Sequence, residues 1–396
     1  MSEILCGQFG DSYEPVLDGV TNVIKNYAYW LNRKYCKCYV ITPSYPKFTD
    51  SDDFEVMRYF SVALPLRPPY RLGIPQIDLK LYMKLNKIPF SILHAHSPFG
   101  AGASALETSR KLDIPIVATF HSKYYDDVKQ AIKNENLTRF VVKKIVKFYE
   151  SVDSVWAVNN TTADVLRSYG FKGPIEVVNN GTDFEMAAVS REDVLALETK
   201  LGFKNTDIML LFVGQHILQK NVMMLIESMQ SLKQMGIRYK MVFIGKGYAE
   251  NEMKQLVSSL QLDDEVIFLG EIKERDMLKA AYWRADLLLF PSLYDNSPLV
   301  VMEASAVGRP TLLIRGSNSS EGIVDGYNGF IADNDPVLYA GKIAEILGDR
   351  MLLKRTGENA RKTLFKRWET IVDDVYLRYL DIIGVMSRTI KTIHIT

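Results

Sequence analysis

Short apolar runs alternate along this chain with longer stretches whose apolar residues recur every three to four positions. In the first half the runs EILCGQF, KCYVITP, FEVMRYF, SILHAHS, IPIVATFHS, SVWAVN and IEVVNN are the strand candidates. They are near-continuous rather than alternating, as expected for strands covered on both faces of a parallel sheet. Between them GVTNVIKNYAYWLNRK, GAGASALETSRKL and TTADVLRSYG carry helical periodicity. The rhythm resets at NNGTDFEMAAVSREDVLALETKLGFKNTD, a linker holding one amphipathic helix, and a second series follows: IMLLFVG, MVFIGKG, VIFLG, ADLLLFPS and PTLLIRG. This order predicts an α/β protein of two Rossmann-like, doubly wound domains facing a cleft, at 1–185 and 186–365. A closing helix is predicted at 366–384.

Length and composition agree with two domains. The chain has 396 residues, 47% hydrophobic and 24% charged, with 48 Lys and Arg against 47 Asp and Glu. A net charge of +1 gives no reason to expect a nucleic-acid partner. Three cysteines, Cys6, Cys36 and Cys38, form no C-x-x-C pair, which argues against a disulfide scaffold or structural zinc and for a reducing cytoplasm. The opening MSEILCGQFGDSYEP has no basic start followed by an apolar core, so a signal peptide is not expected. No apolar run approaches the ~18 residues needed to span a bilayer.

Candidate chemistry gathers where strands end. In LFPSLYDNSPLVVMEASAVGRP (289–310), a buried strand leads through a loop to a short apolar helix. Ser297 suits the N-cap, Pro298 the first helical position, and Gly308 with Pro310 the exit. The N–H groups of Leu299 and Val300 then sit at the positive helix end, where a phosphate is favoured. Asp295 precedes the cap, and Glu303 lies one turn in, on the face of Leu299 and Val300. Two acids flanking a phosphate-attracting helix end suit a nucleoside diphosphate sugar, with one acid accepting from ribose and the other from the sugar. The plainer alternative, a local capping acid and a solvated helix face, is common for such pairs.

D-x7-E followed by A-x3-G-x-P resembles the E-x7-E signature of retaining nucleotide-sugar glycosyltransferases of family 4, which have the GT-B fold. The resemblance implies that Asp295 contacts the donor sugar and Glu303 the ribose. LFVGQHILQKN (211–221) resembles the family's G-R-x4-K-G, which holds the diphosphate: Gly214 and Lys220 match, Gln215 replaces Arg, and Asn221 replaces Gly. Lys220 is then asked to do more, with His216 or Arg315 as helpers. Gly245 lies in the G-x-G turn of FIGKGYAE, while Gly270 and Ile272, with Glu271 between them, are placed by the resemblance beside the base. GSNSSEGIVDGYNGF (316–330) matches G-x4-E-x-V-x-D-G-x-x-G, with Ile323 at one apolar position. PVLDGVTNV resembles P-x2-G-G-V, with Asp18 for the first Gly and Gly19 free to approach phosphate or acceptor. His121, ending ATFHS, resembles the family histidine near the donor's reactive carbon. Expected catalytic residues are therefore His121, Asp295 and Lys220.

Other readings carry less. FIGKGYAE fails G-x-G-x-x-G because Glu250 takes the third place, which weakens a nicotinamide oxidoreductase. His94 and His96 share a strand face but lack a companion carboxylate or cysteine at metal spacing. Asp50 and Asp52 in TDSDDFE form a D-x-D that reads as a solvated turn. No metal or other cofactor is expected. The segment 128–149 reads as one amphipathic helix, with Leu137, Val141, Ile145 and Phe148 on one face and Arg139, Lys143 and Lys147 on another. The plainer reading packs the apolar face, Leu137 included, on the sheet and leaves the basic face in water; the sharper one brings the helix to an anionic membrane. The stretch from YRLGIP through HSPFGAG to TFHSKYYDD resembles bacterial diacylglycerol glucosyltransferases of the same family. The resemblance implies a hexose passed from a nucleoside diphosphate sugar, UDP being expected, to a lipid or glycan acceptor, by a cytoplasmic enzyme peripheral on the membrane's inner face. A GT-B-like binding protein of weak activity is the alternative.

Overall fold

A computed structural model describes residues 4–16, 18–64, 70–184, 189–204 and 206–393, the last seven by backbone alone. The chain divides into two compact units, 1–180 with 368–396, and 181–367. The expected boundary at 185/186 falls among residues outside the description. The change of unit comes at 180/181, and the return to the first unit at 367/368 rather than 365/366.

The first unit is built on a seven-stranded parallel sheet. Its strands are β1 (Leu5–Phe9), β2 (Lys37–Pro43), β3 (Glu55–Tyr59), β6 (Ile92–Ala95), β7 (Ile116–Phe120), β8 (Ser154–Ala157) and β9 (Glu176–Val177). They lie in the order β3-β2-β1-β6-β7-β8-β9. A small antiparallel pair, β4 (Ser61–Ala63) and β5 (Arg71–Gly73), was not expected; at three residues each, neither shows a readable alternation. Helices α1 (Gly19–Lys34), α2 (Leu79–Leu85), α3 (Gly100–Leu112), α4 (Tyr124–Ile132), α5 (Glu135–Tyr149), α6 (Asn160–Ser168) and α14 (Trp368–Ile393) complete the unit.

The single helix expected over 128–149 is two. Lys133 ends α4 in the left-handed region at φ 53°, and Asn134 caps α5 by accepting from Leu137 N. Val142, Ile145, Val146, Phe148 and Tyr149 face the core, whereas Leu137, expected there, is exposed together with Phe140. The D-x-D acids also differ from a solvated turn. Asp50 takes two bonds from Arg58, at 2.6 and 2.8 Å, and the nearly buried Asp52 accepts from Tyr13 and pairs with Lys25 at 3.1 Å.

The second unit holds a six-stranded parallel sheet of β10 (Met209–Val213), β11 (Lys240–Ile244), β12 (Val266–Gly270), β13 (Leu287–Phe290), β14 (Thr311–Ile314) and β15 (Phe330–Ala332), ordered β12-β11-β10-β13-β14-β15. Its helices are α7 (Arg191–Leu201), α8 (Val222–Gln234), α9 (Glu250–Ser259), α10 (Arg275–Arg284), α11 (Leu299–Ala306), α12 (Pro336–Gly348) and α13 (Arg350–Thr363). The continuous apolar run of β10 is explained by its two covered faces. Leu210 and Phe212 enter one core cluster, and Met209, Leu211 and Val213 enter the other. Cutting any of these leucines to alanine costs roughly 2–5 kcal/mol.

Topology locates the chemistry. In each sheet the winding reverses beside the first strand of the unit: between β1 and β6 in the first, and between β10 and β13 in the second. Loops at the carboxyl ends of the strands flanking such a reversal leave a crevice where ligands bind. Residues 214–221 and 291–298 are the loops at that point in the second unit, and residues 10–16 and 96–99 their counterparts in the first.

Candidate active site

Three strand-end glycines form the floor of the second unit's site. Gly214 N donates to Ile244 O at 3.0 Å, and Gly245 N donates to Gly270 O at 2.9 Å, so the ends of β10, β11 and β12 are laced together. The backbone demands glycine here. Gly214 and Gly245 lie at φ +152° and +134°, and a Cβ on Gly245 would stand 1.9 Å from Gly214 O. Gly270 also has a positive φ, +70°, and Ile272 beyond it packs against the core.

From this floor the chain runs into the loop carrying Lys220. Asn221 occupies the left-handed region at φ 61°, which explains how it replaces glycine, since asparagine tolerates that conformation. Lys220 Nζ lies 2.8 and 2.7 Å from the two oxygens of Asp295 and 5.1 Å from the Phe290 ring centre. Side-chain exposures of 12% and 21% keep this ion pair partly out of water. Asp295 is braced further: Ser292 Oγ donates to its Oδ2 at 2.6 Å, and Ser319 Oγ donates to its main-chain oxygen at 2.9 Å. Asn318 Nδ2 donates to Asn296 Oδ1 at 2.9 Å. The 316–330 loop thus supports the Asp295 loop directly.

Helix α11 begins one residue later than expected. Pro298 is its N-cap, with no side-chain cap hydrogen bond, and Leu299 and Val300 are its first residues. Ser297 therefore stands one residue before the N-cap. Pro298 contributes no N–H, so the amides of Leu299 and Val300 head an eight-residue helix. Glu303 is reached from α10: Tyr282 Oη donates to its Oε2 at 2.6 Å. Burial pushes the Glu303 carboxyl up, while the Tyr282 bond and the charge of Arg275 pull it down less strongly. A raised folded pKa loses stability as pH climbs from the ordinary glutamate range, about 4.3, through the folded value. Glu303→Gln keeps an acceptor for Tyr282 and removes the buried charge. Its melting temperature is expected to match the parent's near pH 4 and to exceed it at pH 7–8, as scanning calorimetry would read.

Of the two helpers proposed for Lys220, one is buried and the other is exposed in an ion pair. His216 is fully buried among Phe212, Phe243 and Phe268, and burial pushes its pKa down despite Glu250, so it brings no charge. The Arg315 guanidinium donates to Asp333 at 2.7 Å. Gln215 is exposed and uncharged. Sequence reasoning passed over Lys246, the middle residue of the G-x-G turn. It is exposed, and its Cε lies 3.6 Å from where a Cβ on Gly270 would be.

In the first unit Asp18 takes the N-cap of α1, accepting from Thr21 N at 2.7 Å. Its φ of −137° and ψ of 176° need no glycine, which accounts for the departure at that position. Gly19 is exposed, with open space around it. His121, just past β7, is joined to the histidines of SILHAHS: its Nε2 lies 3.1 Å from His96 Nδ1. Burial pushes the pKa of His121 down to about 3 and those of His94 and His96 well below the ordinary value, so all three are neutral near pH 7. His94 and His96 are engaged by Tyr379, Thr119 and Gln8 rather than set as a ligand pair. Among the described residues no group of His, Cys, Asp or Glu could hold a metal ion. The three cysteines are buried and form no disulfide, and among the described residues no helix is long and apolar enough to cross a membrane.

Comparison with known proteins gives the same picture. Residues 17–186 match the family described as Glycosyltransferase Family 4, and residues 194–363 match Glycosyl transferases group 1. The chain is 24% identical to an alpha-monoglucosyldiacylglycerol synthase of Acholeplasma laidlawii, over 97% of this chain and 99% of that one. It is 25% identical to the synthase of the same name from Streptococcus pneumoniae, over 77% and 70%. Among solved structures, sucrose-phosphate synthase from Thermosynechococcus elongatus superposes with a TM-score of 0.78 at 18% identity, covering 97% of this chain and 100% of that one. Anabaena HepE in complex with UDP and glucose gives 0.75 at 17% identity, covering 95% and 99%. With a Family 4 domain followed by a group 1 domain, on two parallel doubly wound sheets of the GT-B kind, the chain belongs to the glycosyltransferases.

Proposed function

We propose that the enzyme transfers a hexose from a UDP-sugar to a lipid hydroxyl of the diacylglycerol class, with retention at the anomeric carbon. The observation that carries the donor half is the Lys220–Asp295 pair standing just before the start of α11, at the winding reversal of the second sheet. A cation and main-chain amides suit a diphosphate. Asp295 and Glu303 suit hydroxyls, because an ionised carboxylate only accepts.

In this reading the bond from the anomeric carbon to the diphosphate breaks as the acceptor oxygen bonds to that carbon. The hydroxyl proton leaves with the departing UDP, whose charge Lys220 and the Leu299 and Val300 amides stabilise. The first unit contributes His121, as a neutral hydrogen-bonding group, and the acceptor contacts. Gly19 and the glycines at 214, 245 and 270 let main chain approach the substrates, and Ile272 borders the base. No metal or other cofactor takes part.

The lipid acceptor is supported by the names of the two relatives, both called alpha-monoglucosyldiacylglycerol synthase. Peripheral membrane contact is supported by the outer face of α5, where Lys143, Lys144 and Lys147 stand exposed beside Leu137 and Phe140. Basic residues around apolar ones favour an anionic bilayer surface.

Purified protein incubated with labelled UDP-glucose and diacylglycerol in phosphatidylglycerol-containing micelles is expected to yield a monohexosyl lipid. Mass spectrometry reads the product, and proton NMR is expected to show an α-anomeric signal. A β-anomer sinks retention; transfer only to oligosaccharides sinks the lipid acceptor. UDP-sugar binding with neither transfer nor hydrolysis favours the binding-protein alternative, to which the uncharged Gln215 lends some weight.

A further inference from the structure

Strand β1 carries a polar residue in the middle of its apolar run, Gln8, and it is fully buried. It lies in a central strand, paired through β1 with Val40 on one side and with His94 on the other. An amide there must find partners for both ends. Its Oε1 lies 2.8 Å from His96 Nε2, and its Nε2 donates to Tyr379 Oη at 3.1 Å, with Cys6 Sγ at 3.9 Å.

The protons can be followed from this amide in both directions. A carbonyl oxygen only accepts, so His96 carries its proton on Nε2 and leaves Nδ1 as an acceptor. His121 Nε2, at 3.1 Å, then donates to His96 Nδ1. On the other side Tyr379 accepts from Gln8 and gives its own proton to His94 Nδ1 at 2.6 Å. His94 Nε2 donates to Thr119 Oγ1 at 2.7 Å. Each neutral imidazole has one N–H, so fixing one ring nitrogen fixes the other. Turning the Gln8 amide over would reverse the bonds along both branches.

We infer that Gln8 is a positioning residue that sets the tautomer of His121, holding its proton on Nε2 and making Nδ1 the accepting atom of the ring. The functional half rests on the reading that His121 acts beside the sugar; the tautomer itself does not. Tyr379 ties the closing helix α14 to the same network, so that helix also supports the ring orientation.

The test uses full-length protein with 15N-labelled histidine. A long-range 1H–15N spectrum near pH 7, without substrate, is expected to show His121 protonated on Nε2; protonation on Nδ1 overturns the inference whatever the protein's activity. Gln8→Glu retains an acceptor towards His96 and is expected to preserve the tautomer, with kcat within about threefold of the parent. Gln8→Leu removes the acceptor, and a mixed His121 tautomer is expected, with kcat down roughly tenfold or more and the donor KM little changed. An unaltered tautomer and kcat in Gln8→Leu also overturn it. Should that variant not fold, the parent spectrum still decides. If no UDP-sugar proves to be a substrate, the proposed function fails while the tautomer measurement stands.

Discussion

Lys220→Ala is expected to lower kcat for hexosyl transfer by about 100- to 1,000-fold, read with labelled UDP-sugar at saturating acceptor. The size follows from how few cations the site has. Gln215, where the motif resemblance leads to an expectation of arginine, is uncharged, His216 is buried neutral, and Arg315 is paired with Asp333. Lys246 is exposed at the neighbouring turn, so Lys246→Ala is expected to cost less, mostly in donor KM. The donor-free Lys220 is held by both oxygens of Asp295, at 2.8 and 2.7 Å. A diphosphate must share that cation or take it over.

Asp295→Asn separates two roles of the acid. If Asp295 reads a sugar hydroxyl, transfer falls while UDP binds as well as before or tighter, because the lysine is less neutralised. If it only stores the lysine, transfer stays near the parent rate. Unchanged turnover and unchanged UDP affinity in Lys220→Ala would remove the lysine from the mechanism.

What could be read in the sequence was whatever is local. The apolar runs of the central strands gave their positions because both faces of each sheet are covered, and α1 and α3 span the stretches their periodicity marked. The β4–β5 pair and β15 escaped because three residues carry too little pattern. The break between α4 and α5 was hidden because a lysine in the left-handed region leaves no mark in the sequence, although Asn134 could have been read as a cap. Motif residues were found one by one, but not what they touch. Lys220 and Asp295 are 75 positions apart, Gln8 and Tyr379 371 apart, and only the tertiary fold brings each pair together. The same holds for Glu303 and Tyr282, whose bond converts an acid on an apolar helix from an oddity into a partnered group.

Gly245→Ala is expected to be the most damaging single-methyl change in the second unit. Its Cβ would lie 1.9 Å from Gly214 O and 2.9 Å from Gly214 C, both main-chain atoms, so no side chain can swing aside to make room. The φ of +134° adds backbone strain of order 1–3 kcal/mol for any residue with a Cβ. Relief requires β11's exit to move away from β10's, which breaks the bond from Gly214 N to Ile244 O or that from Gly245 N to Gly270 O. With a lost hydrogen bond of about 1 kcal/mol added, a loss of roughly 2–4 kcal/mol is expected, towards the severe end for point substitutions. Denaturant unfolding, followed by fluorescence, would show a lower midpoint. Gly341→Ala is the control, since open space surrounds Gly341 inside α12, and alanine favours the helix by about 1 kcal/mol. Because Gly214 leads into the loop carrying Lys220, UDP affinity is expected to fall in Gly245→Ala even under conditions where the protein remains folded. A variant with parental stability and parental UDP affinity would show that the strand-end glycines are not packed as described.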